Sequence, residues 1–310
     1  MASEVQWCKL PQMGVLRFEG PDAQSFLQGQ LTNNVAALDN VHSQYSGYCT
    51  PKGRLLAVML LWRHGDTYAM LLPRELCEPL CKRLSMYILR AKVRAADVSA
   101  EQDLFGVCGP PAPEVMAALA GAAPGAPFQT THGENATIIK LPENRFLIVA
   151  VPSASGKIEA QLGAAAPGAA ESLWTALDIQ AGIPTVVAAT QEQFVPQAVN
   201  FDLIGAVRFD KGCYPGQEIV ARAHYLGKVK QRMVRARLAS RETPAAGDKL
   251  FSAAFGDQAS GMIVSSVNSG QDRHEVLAVI QSTDIDQSTV HWKSPQGVVL
   301  QQMPLPYPVT

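Results

Sequence analysis

The feature that most constrains the fold is a change of pattern after about Gln231. Six short apolar or alternating segments follow: Met233 to Leu238, Lys249 to Ser252, Met262 to Val267, Glu275 to Gln281, Val290 to Trp292 and Val298 to Gln301. Turn residues such as Asn268-Ser269-Gly270 separate them. Strands this short cannot bury an apolar face alone, and their regular spacing predicts a small closed or nearly closed β-barrel. A domain boundary is therefore placed near residue 232, giving a region 1–232 and a C-terminal barrel 233–310.

The first region reads as mixed α and β. Pro21-Asp22-Ala23 has the form of a helix start, and Ala23, Phe26, Leu27 and Leu31 keep helical spacing. Leu55 to Trp62 is an apolar run that predicts a buried strand, with Tyr68 to Leu72 returning across a hairpin at Gly65-Asp66. Helical periodicity covers Arg74 to Ile88, where Pro79 predicts a late start or a kink. A short helix is expected near Pro113 to Leu119, and a second hairpin joins Thr137–Leu141 to Phe146–Val151. Gly163 to Ala170 reads as a linker. Glu171 to Ala181 reads as a helix stopped by Gly182 and Pro184.

At 310 residues the chain is too long for one ordinary core. It is 47% hydrophobic and 17% charged with a net charge of −1, so no global field draws it to nucleic acid or to anionic membrane. The longest apolar run falls far short of a membrane span. No secretory signal is visible, so the six cysteines are expected as reduced thiols in the cytoplasm. Cys77 and Cys81 share a helical face but have no third ligand at useful spacing, and no metal site is expected.

One segment carries candidate chemistry. Val207-Arg208-Phe209 reads as the end of a strand, and Gln217 to Ala223 as a helix. Between them Gly212 and Gly216 frame Cys213, which places the thiol on a tight turn before a helix N-terminus. The helix N–H groups and Lys211 would favour a thiolate there. The bland alternative is a small core cysteine. From Arg208 to Arg237, eight Lys or Arg residues face two acidic ones, a local charge of +6. This suits an anion, although a basic run is also a common face of a solvated strand. Cys213 with His224 raises a cysteine-hydrolase reading, but nothing marks a residue to orient the histidine.

Lys211-Gly212-Cys213-Tyr214-Pro215-Gly216-Gln217-Glu218 resembles the signature of the YgfZ family, relatives of the glycine-cleavage T protein. Further segments in the same order resemble it too: Phe26 to Val35, Pro51 to Ala57, Trp174 to Pro184, Phe194 to Asn200 and Pro304 to Tyr307. The resemblance implies an α+β aminomethyltransferase-like folate-binding fold, ring-like and in three parts, with the C-terminal barrel. It implies a folate, tetrahydrofolate or another form, in a central cavity, with Cys213 at the cavity mouth as a redox-active or transiently ligating thiol. Two tryptophans are attributed to the folate site in bacterial members. Trp174 matches one, and Met13 stands where the other falls. Trp174 also keeps helical spacing with Leu177 and Ala181, as a core residue would. Arg222 and Lys228 are candidates for a polyglutamate tail on charge grounds.

Aminomethyltransferases use a strand Asp near the position of Lys52-Gly53, where this chain has only Asp66 within Gly53 to Tyr68. Asp178 and Gln180 stand where the family of transferases has Arg and Glu. Gln180 lacks the ionised acceptor that Glu would offer to pterin N–H groups, and loss of a positioned carboxylate commonly costs ~10²-fold or more in rate. The expectation is a folate-binding accessory protein for iron–sulfur enzymes or their assembly factors and for tRNA methylthiolation, without aminomethyltransferase activity. The alternatives are a folate-dependent one-carbon transferase or demethylase, and a tRNA-binding module that uses the basic strip.

Overall fold

The structure is a computed structural model that describes residues 4–225, 229–285 and 287–309. Along the chain run β1 (Gln6–Lys9), β2 (Met13–Glu19), α1 (Ala23–Gln28), β3 (Ser43–Cys49), β4 (Leu55–His64), β5 (Thr67–Pro73) and α2 (Arg74–Ser85). Then come β6 (Arg94–Asp97), β7 (Asp103–Cys108), α3 (Ala112–Ala120), β8 (Thr130–His132), β9 (Ala136–Leu141), β10 (Arg145–Ala150), α4 (Pro152–Ala165) and α5 (Ser172–Ala181). The last elements are α6 (Gln217–Tyr225), β11 (Gln231–Ala239), β12 (Lys249–Ser252), β13 (Gly261–Gly270), β14 (Arg273–Gln281), β15 (Val290–Trp292) and β16 (Gln301–Met303). The chain divides into two compact units. One comprises Met1–Gln28, Asn34–Ser46 and Met59–Trp174; the other comprises Gly29–Asn33, Gly47–Val58 and Thr175–Thr310.

In the first unit an antiparallel sheet has the order β1-β7-β10-β9-β8. Alternation sends Trp7, Phe105, Val107, Phe146 and Ile148 to one face, where Met116 of α3 and Ile158 and Leu162 of α4 close the core. The other face carries Cys8 opposite Gly106 and Cys108 opposite Arg145. The β9–β10 hairpin turns through Glu143 and Asn144, both with positive φ, as a tight hairpin requires. A further sheet has the order β3-β4-β5-β2-β6. Its β4 is the predicted apolar strand, buried along Leu55–Trp62.

In the second unit the C-terminal sheet has the order β15-β12-β13-β14-β11-β16 and curls into a half-barrel. Its core is one-sided: Val234, Ala236, Leu250, Ile263, Val276, Ala278, Ile280 and Trp292. The edge strands β15 and β16 share no ladder among the described residues, but the residues leading into β16 bond to β15: Trp292 N donates to Val298 O and Leu300 N to Val290 O, both at 2.8 Å. The predicted strand Val298 to Gln301 bridges to β15 at Val299 and runs on into β16, Gln301–Met303.

Three local expectations change. Helix α2 starts at Arg74 with Pro79 inside it, so no late start is needed. The predicted linker at 163–170 begins inside α4, which reaches Ala165. Residues 207–209 form no strand; that stretch is held instead by Thr32, whose carbonyl accepts from Arg208 N at 3.0 Å and whose Oγ1 donates to Ala206 O at 2.8 Å.

Candidate functional site

The Lys211–Glu218 segment belongs to the second unit, and three other pieces of that unit hold it. The first is Leu31 to Asn33. Lys211 Nζ donates to the carbonyls of Leu31 at 2.5 Å and Asn33 at 2.8 Å, and it stands 5.2 Å from the centre of the Tyr214 ring. Burial pushes the Lys211 ammonium down to about 8, against carbonyl contacts that favour the charged form. Lys211 is thus an anchor reaching inward, and its ammonium is engaged there instead of at the thiol.

The second piece is the turn Thr50 to Arg54. Thr50 N donates to Arg54 O at 2.8 Å, and Gly53 N donates to Thr50 O at 2.9 Å. Gly216 has φ +80°, and a Cβ there would stand 2.5 Å from Thr50 O and 2.6 Å from Gly53 Cα. Gly53 is itself at φ +69°, with Gly216 O 3.2 Å from its would-be Cβ. Two glycine backbones therefore meet at the start of α6 because neither has a side chain. Gly212 differs, since a Cβ there would meet nothing within 4 Å.

The third piece is Phe194 to Asn200. Gln197 is fully buried, and its Nε2 donates to Val220 O of α6 at 2.6 Å. Asn200 Nδ2 donates to Met233 O at 2.7 Å, and Asn200 Oδ1 accepts from Met233 N at 3.2 Å, so this side chain pairs like a strand. The family-like segments around Thr32, Lys52-Gly53 and Asn200 thus converge on one loop. The spacing of the residues gave no sign of this; the only signal was that all of them belonged to the resemblance.

What the loop presents is Cys213. It is a free, exposed thiol, whereas Cys8, Cys49, Cys77 and Cys108 are buried and Cys81 is half-buried. Burial raises Cys49 to about 12 and Cys8 and Cys77 to about 11, which leaves them protonated and inert. Tyr214, the next residue, points inward: it is buried, and its phenol has no hydrogen-bond partner among the described residues. Burial and the neighbouring Cys49 raise its pKa. Gln217 is half-buried and Glu218 exposed in the first turn of α6. His224 stacks flat on Phe209, with ring centres 3.8 Å apart.

The basic strip is partly offset by carboxylates, two of which, Asp202 and Glu275, lie outside its sequence window. Arg232 donates to Asp202 at 2.7 Å, Arg235 and Arg237 both pair with Glu275, and Arg208 pairs with Asp210. Arg222 is exposed on α6. Lys228 lies outside the described residues.

The first unit holds Trp174 and Met13. Trp174 is 4% exposed and packs on the β7 face that Gly106 opens; a Cβ at 106 would overlap the indole. The Arg145 guanidinium lies 5.6 Å from the same ring. Met13 lines a cleft of about 260 Å³ with Leu10, Arg74, Ser99, Asp103 and Phe105, among others. Trp174 is not among the residues lining that cleft. Gln180, in the second unit, is exposed near the end of α5. Asp66 sits in the β4–β5 turn, paired with Arg63 at 3.3 Å. No group of three or more His, Cys, Asp or Glu side chains among the described residues could hold a metal ion, and no helix among them is long and apolar enough to cross a membrane.

The fold defines the class first. The chain superposes on glycine cleavage system aminomethyltransferase T from Bartonella henselae with a TM-score of 0.72 at 17% identity, covering 98% of this chain and 86% of that one. A family model described as the GCVT N-terminal domain matches residues 1–135. Within that class, the tRNA-modifying protein YgfZ of Sodalis glossinidius (strain morsitans) is 30% identical over 306 residues, covering 97% of this chain and 92% of the relative. The protein of the same name from Vibrio vulnificus (strain CMCP6) is 33% identical over 303 residues, covering 96% and 91%. The chain belongs to the YgfZ family.

Proposed function

We propose that the protein is a folate-binding accessory protein that supports iron–sulfur enzymes and tRNA methylthiolation and does not transfer aminomethyl groups. The observation that carries this reading is the Cys213 loop: an exposed thiol on a backbone fixed by Lys211, Gly216, Gly53 and Gln197. Such a loop suits a thiol that meets a partner protein, as a redox-active or transiently ligating group. The name carried by the relatives supports the tRNA arm of the reading.

Folate is supported by the GCVT match and by the chemistry of the Met13 cleft. A pterin needs apolar contact for its ring face and polar groups for its N–H edge. Met13 and Phe105 supply the first; Asp103, Ser99 and Arg74 supply the second. Folate, when bound, supplies a one-carbon carrier. Trp174 serves by packing against Gly106 and so setting β7, whose Leu104 and Phe105 line the cleft. Gln180, and Arg222 and Lys228 on charge grounds, stay candidates from the sequence alone for the amide and polyglutamate contacts of a folate. In this reading residues 1–232 form the folate-binding region, 233–310 the barrel domain, and the site of action is the cytoplasm.

The case against transfer is the carboxylate count. Asp66, the one acid within Gly53 to Tyr68, is almost fully exposed in a hairpin turn, where it can orient no reacting group. Calorimetry with tetrahydrofolate tests the reading: saturable binding, weakened in Met13→Ala, is expected. Absence of binding, or steady formation of methylenetetrahydrofolate from an aminomethyl donor, would overturn it.

A further inference from the structure

A second surface stands apart from the thiol loop. Within the first unit, the chain leaving α2 exposes Met86, Tyr87 and Leu89, the last 86% exposed. Three of the eight exposed large apolar side chains among the described residues thus fall within four residues. Apolar groups gathered at one spot on an otherwise polar surface mark an interaction site far better than single exposed residues do.

Charge surrounds them. From Lys82 to Arg94 the sequence carries Lys82, Arg83, Arg90, Lys92 and Arg94 and no acidic residue. Of these, Lys82 is paired with Glu78. Arg90, Lys92 and Arg94 are exposed.

The segment is built, not loose. Tyr87 N donates to Leu84 O at 3.0 Å and Ile88 N to Ser85 O at 3.1 Å, so the turns continue from α2. At the far end Lys92 N donates to Asp22 Oδ2 at 2.7 Å, and Arg94 pairs with Glu19 in the β2–β6 register. The fold therefore presents the apolar tip at a fixed position.

We propose that the Met86–Leu89 turn and its flanking cations dock an acidic, amphipathic segment of another protein. Met86 and Leu89, the two most exposed side chains of the tip, offer nothing to phosphates or base edges, and Tyr87 alone is a small platform for stacked bases, which favours a protein partner over RNA. The rim also carries Glu19, Asp22 and Glu78 beside the cations. A uniformly anionic membrane would repel those carboxylates, whereas a protein segment can match charges one by one. The apolar residues supply the anchor and the arginines and lysines the orientation.

The test uses the full chain and a labelled peptide with glutamates on one helical face and leucines on the other. Its partners are the Gln-for-Glu counterpart, phosphatidylglycerol-containing vesicles and a single-stranded RNA. Fluorescence anisotropy is expected to show saturable binding of the acidic peptide, loosened about tenfold by Leu89→Ser or by Arg90→Glu. Both positions are exposed, and unchanged circular dichroism would show that both variants fold. Failure of the acidic peptide to bind, equal binding of the Gln counterpart, insensitivity to both substitutions, or tighter binding to vesicles or RNA would each overturn the proposal.

Discussion

Replacing Gly216 by Ala tests whether the thiol loop is locked by contact between two glycine backbones. Gly216 sits at φ +80°, where an L side chain costs roughly 1–2 kcal/mol. The new methyl would also stand 2.5 Å from Thr50 O and 2.6 Å from the Gly53 backbone. Thr50 O already accepts from Gly53 N, so it cannot retreat without opening that turn. Overpacking of this kind costs about 1–3 kcal/mol more. The expected loss is about 2–5 kcal/mol. With a urea slope of roughly 2–3 kcal/mol/M, the unfolding midpoint falls by about 1 M or more. Gly212→Ala is the control, because nothing lies near its would-be Cβ; it should stay within about 0.5 kcal/mol of wild type. Equal midpoints for the two variants would refute the glycine lock.

Asn200→Ala strips partners from the N–H and the C=O of Met233 and should cost about 2–4 kcal/mol in the same urea assay. Lys211 is depressed to about 8 in the folded chain against about 10.5 unfolded. Between those values the unfolded chain binds more protons, so Lys211 makes stability rise with pH across that window. Lys211→Met should remove that component, seen as a flatter midpoint between pH 8 and 10.5 than in wild type; parallel curves would contradict it. Native-state alkylation followed by mass spectrometry should label Cys213 first and leave Cys8, Cys49, Cys77 and Cys108 unmodified.

Much of the fold was legible because its patterns are local. Leu55 to Trp62 could only be a buried strand, and the C-terminal strands announced themselves by alternation and turns. The edge and short strands were not legible. Gln6–Lys9, Ser43–Cys49 and Arg94–Asp97 carry little periodicity, and their pairing partners fix them. Helix α4 hid in an Ala- and Gly-rich stretch whose helicity comes from packing Ile158 and Leu162 on the sheet.

At the candidate site, the turn that carries Cys213 into a helix and the glycine at 216 could be read from the residues, while the exposure of the thiol could not. The +6 count shrinks in space, because Asp202 and Glu275 lie outside the 208–237 window yet pair with three of its arginines. Lys211 misled for a related reason: sequence proximity to Cys213 suggested a thiolate partner, while its carbonyl acceptors come from 178 and more residues away. No single-sequence signal reports such distant pairings.

The most direct measurement is the level of methylthiolated tRNA in a strain lacking this protein, complemented with wild type or with Cys213→Ala. Wild type is expected to restore the modification, and Cys213→Ala, expressed and folded to the same extent, is expected not to. Equal restoration by the two would contradict a working role for the exposed thiol, and with it the function proposed for the loop that holds it.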